Sequence, residues 1–458
     1  MTNNILESLA QEVPLPQEGT YAWTDAPWHD WKWQQKHKVT DKDIPKLREL
    51  FPDVSNEAWN QVFGNSLKRL KFQVTPYMLS KILKNQSKNT KNPDESFLND
   101  IWVKQFFPSG DIKQDGPGGY DAGENWELSE EFPTPNLHHK YTNRAPLRTS
   151  TCFSYCNFCF EAKRTLDKNP QDEKIFRWSD WKASQKYIRK NKQLEEIIFS
   201  GGEPLILSNN RLEKIFSDIV AIENEQERTI YKRIHTRVLS HNPFRITPEF
   251  AEMIGKYGVN QITFDVAHAD EITPEFIHAV NIIRDSAGVK APMLALHTPL
   301  LKGVNDDTTK LWDLFSKAYK YNIRPYYLLC PMPNSPLGDD RISVADAVEL
   351  YSPLKRHKSN NVIPELVIVD KTGKQTVPLE RNGTPEFQYK YDTQGNPIIH
   401  FKNWKGEWSD YTDVPSTIAK EPRTSYQVTK SSPTIRQYGR EIVNKAKEHL
   451  TNVKEKYF

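Results

Sequence analysis

The sequence predicts an α/β fold, a partial (β/α)6 barrel with an N-terminal helical region and a C-terminal α+β cap. Between about residues 145 and 335, short apolar strands alternate strictly with helical runs. This pattern implies parallel strands joined by right-handed crossovers. Two motifs able to hold ligands follow the first two strands, and ligands gather at the carboxyl ends of parallel strands. The flanking chain lacks this alternation, so we expect three regions, 1–140, 141–335 and 336–458.

The composition excludes several classes of protein. The 458 residues carry 62 basic and 59 acidic side chains, and the net charge of +3 gives no electrostatic basis for binding nucleic acid. No apolar run reaches the roughly eighteen residues of a membrane span, and the polar start carries no signal-peptide pattern. Four cysteines are too few for a disulfide framework. We therefore expect a cytoplasmic protein that acts on a small molecule.

Each region has its own predicted elements. Residues 1–20 are interpreted as a leader, the tryptophan-rich stretch 22–34 as a helix docked on the main domain, and 41–85 as further helices. In the barrel we predict strands at 146–151, 195–199, 233–239, 261–266, 293–298 and 324–329. The helices between them lie near 179–192, 209–224, 247–257, 273–286 and 306–321. In the cap we predict a helix at 342–356, a strand at 364–370, several short strands after it and a terminal helix at 434–457.

The central motif is the stretch CFSYCNFC, which contains Cys152, Cys156 and Cys159. A structural zinc site closes four ligands around the metal, whereas this triplet has no second pair of cysteines. Thiolates are the normal ligands of iron–sulfur clusters, and three thiolates on a four-iron cluster leave one iron without a protein ligand. The motif therefore predicts an open iron–sulfur site. The alternative is three core cysteines that fall close together.

A second motif, FSGGEP at 199–204, follows the next predicted strand. Gly201 and Gly202 let the backbone approach a ligand closely, and Glu203 supplies a carboxylate that suits a free amino group. Other strand ends should line the same site. They carry His235, Thr236, Arg237, Asp265, His268, His297, Thr298 and Cys330, of which we assign Thr236, Arg237, His268 and His297 to cofactor binding.

Together, CxxxCxxC after one strand and GGEP after the next resemble the radical S-adenosylmethionine (SAM) enzymes. Stretches at 28–34, 75–80, 300–306 and 324–327 narrow the resemblance to the lysine 2,3-aminomutase family, over about residues 23–415. The resemblance implies a radical SAM barrel with a [4Fe-4S] cluster on the three cysteines. It also implies that SAM is reductively cleaved to a 5′-deoxyadenosyl radical, with Glu203 near the methionine amino group and His268 and His297 near SAM. An electron donor such as flavodoxin or ferredoxin and a homo-oligomer are further implied.

The chain departs from this family where the cofactor pyridoxal phosphate (PLP) and the substrate are held. The family's PLP lysine forms a Schiff base and follows a run of glycines, but VDKTGKQTVP at 369–378 keeps one glycine, with Lys371 and Lys374 as candidate lysines. We interpret this stretch as a β-hairpin turn, although residues 140–141 resemble a phosphate contact. Glu161 replaces the family's carboxylate-binding arginine, and we expect it to hold a cation or hydroxyl.

Two further family features are missing, namely the acid after Arg-Pro-Tyr-Tyr, where this chain has Cys330, and the C-terminal zinc cysteines. We therefore predict a radical SAM enzyme that abstracts hydrogen from a different, amine-bearing small molecule without PLP, with Glu161 and Cys330 as candidate catalytic residues. An isomerase, lyase or oxidoreductase outcome is open. One alternative is a PLP-dependent 2,3-aminomutase on an amino acid other than lysine, with PLP on Lys374. Another is a non-catalytic electron-transfer protein whose cluster Cys330 completes.

Overall fold

The structure is a computed structural model that describes residues 27–64, 66–88, 91–108, 129–149, 151–168, 177–333, 336–337, 341–380 and 383–419. The leader interpreted at 1–20 and the helix predicted at 434–457 lie outside these residues. None of the helices in the described part of the chain is long and apolar enough to cross a membrane.

The described strands form an eight-stranded sheet, a three-stranded sheet and a two-stranded ribbon. In chain order they are β1 Val39–Thr40, β2 Gln73–Val74, β3 Arg144–Arg148, β4 Glu196–Ser200, β5 Tyr231–Thr236, β6 Gln261–Asp265, β7 Met293–Pro299, β8 Arg324–Leu329, β9 Glu365–Asp370, β10 Gly373–Thr376, β11 Phe387–Tyr391, β12 Pro397–Lys402 and β13 Trp408–Thr412.

The α-helices surround and precede the large sheet. They are α1 Trp31–Lys36, α2 Ile44–Glu49, α3 Asn56–Val62, α4 Ser66–Arg69, α5 Pro76–Lys88, α6 Pro93–Asn99, α7 Ile101–Phe106, α8 Ala162–Thr165, α9 Trp178–Lys190, α10 Asn209–Gln226, α11 Val238–His241, α12 Pro248–Lys256, α13 Pro274–Ala287, α14 Thr308–Lys320 and α15 Val344–His357. Short 3₁₀ helices cover Pro27–His29, Asp41–Asp43, Ser129–Glu131, Pro204–Ile206, Pro243–Arg245, Ala269–Glu271 and Gly288–Lys290.

The eight-stranded sheet is curled, and its order follows the chain from β3 at one edge to β10 at the other. Strands β3 to β9 are parallel neighbours, and β10 returns antiparallel to β9. The predicted partial barrel is thus confirmed, with one difference. The alternation continues past residue 335, because α15 leads into β9, whose apolar run pairs in parallel with β8. The cap predicted from residue 336 therefore supplies two strands of the large sheet.

Side chains alternate between the two faces of this sheet because successive residues of a strand point in opposite directions. The outer face is apolar and packs against the helices through Ile197, Phe199, Ile234, Ile262, Phe264, Leu294, Leu296, Leu328, Leu366 and Ile368. The register places a polar set on the concave face, made of Arg144, Glu196, Arg233, His235, Asp265, His297, Tyr327 and Lys374. The concave face of the sheet therefore carries the side chains that can bind a ligand or transfer a proton.

Side chains, not strand pairing, join the two edges of the sheet. The hydroxyl of Tyr141, just before β3, accepts a hydrogen bond of 2.9 Å from the backbone N–H of Lys374 in β10. The ammonium group of Lys140 donates to the carbonyl of Lys371 at 2.5 Å, in the turn between β9 and β10. These contacts hold β10, the strand that carries Lys374, close to the opposite edge of the curled sheet.

The N-terminal helices form a separate aromatic core, centred on Phe51, Trp59, Phe63, Phe72, Phe97, Trp102, Phe106 and Phe107. The expected docking of the tryptophan-rich stretch is seen at Trp31, whose ring meets Phe153 edge-on at 6.4 Å between centroids. Because Phe153 belongs to the cysteine motif, this helical region packs directly on the predicted iron–sulfur site.

The three-stranded sheet of β11, β12 and β13 is antiparallel. Its last strand is fixed to the large sheet, because the hydroxyl of Tyr411 donates to the carbonyl of Pro331 at 3.0 Å. The chain after it is held by Asp346 of α15, whose carboxylate accepts hydrogen bonds from the backbone of 417–419.

Candidate active site

The cysteine loop is held in place by the N-terminal region. The side-chain amide of Gln73, in β2, donates to the carbonyls of Cys152 at 2.8 Å and Phe153 at 3.0 Å. The carbonyl of Gln73 in turn accepts from the N–H of Tyr155 at 2.9 Å, and the carbonyl of Gln105 accepts from Asn157 at 2.9 Å. The sequence carried no motif that marked either glutamine, because their role depends on contacts with a loop far along the chain.

The three thiols lie in one electrostatically linked group. Burial raises the pKa of the Cys152 thiol well above its usual value, and the neighbouring Cys159 and Glu203 raise it further. Burial together with the Cys156 charge raises the pKa of Cys159 to about 12. Thiolates at such a site need a strong positive charge to hold them ionised, and a bound metal supplies it.

Three cysteine thiols suit an iron–sulfur cluster, whose normal ligands are thiolates. Within the described residues, no group of three or more His, Cys, Asp or Glu side chains is arranged to hold one metal ion. A four-iron cluster carries its irons at separate corners, so its three thiolate ligands do not share one metal. Cys152, Cys156 and Cys159 would hold such a cluster, as the sequence predicts.

Arg237 lies against this loop. One guanidinium nitrogen lies 3.4 Å from the sulfur of Cys156, and the other donates to Glu271 at 3.0 Å and to the side chain of Gln105. Its ring contacts are Phe106 and Phe158, both within 4.8 Å of the guanidinium carbon. Arg237 therefore places a fixed positive charge beside a predicted cluster ligand, and Glu271, which sequence reasoning missed, positions it.

The Gly-Gly-Glu turn follows β4 and lies against the end of β3. Gly201 and Gly202 have φ of +68° and +85°, in the region that glycine favours. A Cβ on Gly202 would lie 2.6 Å from the carbonyl oxygen of Thr149, so only glycine allows this approach. The N–H of Glu203 then donates to the carbonyl of Thr151 at 2.8 Å, which joins the turn to the start of the cysteine loop.

The Glu203 carboxylate is 2% exposed and accepts three hydrogen bonds. They come from the hydroxyl of Thr236 at 2.6 Å and from the backbone of Leu205 and Arg237, each at 3.0 Å. Burial raises the pKa of Glu203 to about 7, although these hydrogen bonds lower it. A carboxylate retains lone pairs beyond three bonds, so Glu203 and Thr236 fit the predicted contact with a cationic amino group.

Other predicted residues are placed less centrally. The ring of His268 accepts from the N–H of Asp270 at 3.2 Å and caps a 3₁₀ turn after β6. Glu161 does not face an external cation, because its carboxylate oxygens lie 2.7 Å from Arg148 and 3.6 Å from Arg164. Sequence reasoning missed Arg148, since nothing local links it to Glu161.

Cys330 is 1% exposed and lies near the three-stranded sheet. Burial raises its thiol pKa, with Asp413 raising it further and Arg341 lowering it. Cys152, Cys156 and Cys159 are not among the charged groups that shift the pKa of Cys330. This surrounding favours a packing role over the predicted catalytic role, and gives no support for Cys330 as a fourth cluster ligand.

Lys374, one of the two candidate lysines, lies on the same concave face. The stretch 370–373 is a hairpin turn, as interpreted from the sequence, and it places Lys374 on the concave face, opposite Val369. Its ammonium nitrogen lies 4.5 Å from the centre of the Tyr327 ring. Burial and the charge of Arg233 lower the pKa of Lys374 to about 7, although Asp265 acts in the opposite sense. An amine with this pKa is substantially neutral, and therefore nucleophilic, near neutral pH.

Two histidines and an aspartate complete the concave face. The rings of His235 and His297 meet edge-on at 4.8 Å between centroids. Asp265 lies 3.4 Å from Nδ1 of His297 and is 37% exposed toward the concavity. The protein that walls this concavity desolvates the carboxylate, which raises the Asp265 pKa to about 7. The Nε2 atoms of both histidines are buried without a hydrogen-bond partner, as expected where a ligand completes the site.

Comparison with known proteins gives consistent matches. The radical SAM superfamily matches residues 147–310. L-lysine 2,3-aminomutase from Clostridium subterminale is 29% identical over 394 residues, which cover 85% of this chain and 85% of that protein. The same enzyme from Fusobacterium nucleatum is 28% identical over 400 residues, covering 87% and 85%. Glutamate 2,3-aminomutase from Clostridioides difficile is 25% identical over 405 residues, covering 87% and 86%.

These matches agree with the cysteine loop, the Gly-Gly-Glu turn and the curled sheet. They confirm the resemblance to radical SAM enzymes and lysine 2,3-aminomutases that the motifs predicted. Radical SAM enzymes are defined by SAM and an iron–sulfur cluster. The chain therefore carries a radical SAM domain and is similar over most of its length to lysine 2,3-aminomutases, from which it diverges.

Proposed function

We propose that this enzyme is an aminomutase that acts on an amino acid other than lysine and holds PLP on Lys374. The observation that carries the proposal is the position of the Lys374 amine on the concave face with a pKa of about 7. This reverses our preference from the sequence, where the hairpin turn argued against PLP. A turn and an inward lysine are compatible, because the turn ends at Gly373 and Lys374 is the next residue.

The residues around Lys374 fit PLP chemically. Arg233 and Arg144 share its face and provide positive charge for a phosphate group. Arg233 is 2.8 Å from Glu196, which fixes its side chain. The aromatic ring of Tyr327 supplies an apolar wall beside the amine. Lys140 and Tyr141, which the sequence suggested as a phosphate contact, instead bind the hairpin backbone and position Lys374.

The roles of the other residues follow from their contacts. Cys152, Cys156 and Cys159 would hold the cluster, and Glu203 with Thr236 would bind the amino group of SAM. With SAM bound beside it, the cluster held by these cysteines would supply the radical chemistry that removes hydrogen from the substrate. PLP on Lys374 would hold the substrate's amino group in covalent linkage while that group moves from one carbon of the substrate to another.

The substrate is proposed to be an amino acid that lacks a side-chain ammonium group. The family's acid after Arg-Pro-Tyr-Tyr is replaced here by 330–332, and Met332 offers no charge to such a group. Glu161 is paired with Arg148 and Arg164. The named relatives act on lysine and on glutamate, so the family accommodates side chains of either charge.

The test is borohydride reduction of the cluster-reconstituted enzyme with PLP, under anaerobic conditions, followed by peptide mass mapping. The expected result is one pyridoxyl group on Lys374, absent in Lys374→Ala and kept in Lys371→Ala. In parallel, SAM and dithionite should yield 5′-deoxyadenosine, and Cys156→Ala should abolish it. A label elsewhere, or none, contradicts the assignment of PLP to Lys374.

A second candidate is the PLP-free hydrogen abstraction that the sequence favoured. It is supported by the single glycine left in the turn at 370–373 and by Glu161 in place of an arginine. It predicts 5′-deoxyadenosine formation without any pyridoxyl label on Lys374. The same two measurements therefore separate the two candidates.

A further inference from the structure

His297 has a geometry that the proposed function leaves unused. It is 3% exposed, and its Nδ1 lies 3.4 Å from a carboxylate oxygen of Asp265. Its Nε2 is buried and has no hydrogen-bond partner. A buried nitrogen without a partner costs free energy in the folded protein, so this atom is suited to an interaction with a bound ligand.

His297 and Lys374 are linked through one aromatic side chain. Tyr327 is the register partner of His297 in β8, and their ring centroids are 5.4 Å apart. Tyr327 also contacts the Lys374 amine, which lies 4.5 Å from its ring centre, and stacks on Tyr326 at 4.0 Å. His297 also stacks on Tyr326 at 5.5 Å, which restricts rotation of the imidazole. The imidazole and the amine thus lie on the same concave face and contact the same ring.

Asp265 determines which ring nitrogen can accept a proton. Above pH about 7 the Asp265 side chain is ionised, and a carboxylate beside Nδ1 favours the tautomer with hydrogen on Nδ1, which leaves the lone pair on Nε2. The groups that face His297 are Arg233 and His235 from β5, Asp265 from β6, Tyr326 and Tyr327 from β8, and Lys374 from β10. Burial lowers the pKa of His297 well below its usual value, and the charges of Lys374 and Arg233 lower it further. The ring is therefore neutral at physiological pH.

We propose that His297, oriented by Asp265, is the proton-transfer group for formation and exchange of the covalent bond between Lys374 and PLP. This inference rests on the proposed function. When the lysine amine attacks the aldehyde, a carbon–nitrogen double bond forms, the carbon–oxygen bond breaks and one water leaves. Two protons move from nitrogen to the departing oxygen, and His297 would carry them through Nε2. No oxidant or reductant is required.

The test follows the rate at which added PLP is captured by the full-length, cluster-reconstituted enzyme without SAM. Stopped-flow absorbance of the lysine–PLP bond gives the rate, and borohydride mapping confirms the site. We expect His297→Gln to slow capture by about 100-fold, the scale of general acid–base catalysis. Asp265→Asn should also slow capture, but by less than His297→Gln, and the double variant should be no slower than His297→Gln, because the two residues act as one unit.

The matched control is His400→Gln, which removes another His–Asp pair, 2.6 Å from Asp410 in the three-stranded sheet. It should capture PLP at the wild-type rate. Iron content and thermal melting of each variant verify folding, and Asp265→Asn keeps the imidazole itself in place. Capture by His297→Gln at the wild-type rate, with the label on Lys374, overturns this inference and leaves the proposed function standing. Absence of the label from wild-type Lys374 overturns both.

Discussion

Gly202 shows what a single residue contributes to the site. Its φ of +85° and its contact with Thr149 are two separate constraints. Gly395 has nearly the same φ, +84°, but a Cβ there would meet nothing within 4 Å. Comparing substitutions at the two glycines therefore distinguishes the free-energy cost of the backbone conformation from the cost of the close approach to Thr149.

We predict that Gly202→Ala abolishes 5′-deoxyadenosine formation, because a methyl group must displace Thr149 and the turn that carries Glu203. Gly395→Ala should cost only about 1 kcal/mol of stability and leave SAM cleavage unchanged. Thermal melting and the yield of 5′-deoxyadenosine are the measurements. Equal effects of the two substitutions would show that conformation, not contact, requires glycine at 202.

Lys374 shows how neighbours change the chemistry of one side chain. Its pKa is lowered from 10.5 to about 7, so its amine is mostly neutral above pH 7 and mostly protonated below it. The capture of PLP should therefore accelerate as pH rises through about 7 and then level off. An ordinary lysine, with a pKa near 10.4, would continue to gain reactivity toward pH 10. Capture rates in wild-type protein across this range, with Lys371→Ala as control, test the shift. A profile still rising at pH 9 would contradict it.

At the scale of elements, the cysteine loop depends on a strand of only two residues. Gln73 in β2 is 5% exposed and makes three hydrogen bonds to the loop. Two of these bonds use its side-chain amide, so truncation leaves the buried carbonyl of Phe153 and the partly buried carbonyl of Cys152 without this donor. Losing donors to buried groups costs about 1–3 kcal/mol for each group.

We predict that Gln73→Ala lowers the iron retained after cluster reconstitution, since the loop is no longer held in a ligating conformation. The control is Gln388→Ala in β11, whose exposed amide donates to the carbonyl of Pro385. Iron and sulfide content per chain is the measurement. Full iron content in Gln73→Ala would mean that the cluster orders the loop without this glutamine.

At the scale of the whole molecule, the closure of the curled sheet decides where the reactive amine lies. Tyr141 fills the space above Gly373, because a Cβ on that glycine would overlap the Tyr141 hydroxyl. Its ring is covered by Arg144 at 4.0 Å and tilts against Trp404 at 5.6 Å. The indole of Trp404 donates to the carbonyl of Thr372 at 2.7 Å. Both edges of the sheet and the segment after β12 thus meet at the hairpin.

We predict that Tyr141→Ala reduces borohydride labelling of Lys374 several-fold and destabilises the protein by about 1–3 kcal/mol. The reason is that the hairpin loses the ring that packs on Gly373 and the hydroxyl that binds the Lys374 backbone. Tyr231→Ala, at a side chain that is 49% exposed in β5, is the control. Undiminished labelling in Tyr141→Ala would show that strand pairing alone positions the amine.

The features that can be recognised locally were predictable from the sequence. The spacing of three cysteines, two glycines before a glutamate and the alternation of strands with helices are local patterns, and the structure agrees with them. The sequence predicts the alternation of strands and helices only up to residue 335, because the helix and the strand after that residue were interpreted as part of a cap. Their apolar sequences could not show that β9 pairs with β8, since pairing depends on the chain returning to the same sheet.

Only the tertiary structure decided which side chains meet on the concave face. Whether Lys374 faced solvent or the site depended on the register of β10 against β9, because a shift of one residue reverses the face. Its pKa depends on charges from β5 and β6, which are far apart in sequence. Glu161 likewise met Arg148 only after folding. The sequence by itself predicted the residues proposed to generate the radical, because each of their motifs is contiguous. The residues proposed to face the substrate could be identified only from the fold, because they are single residues on separate strands.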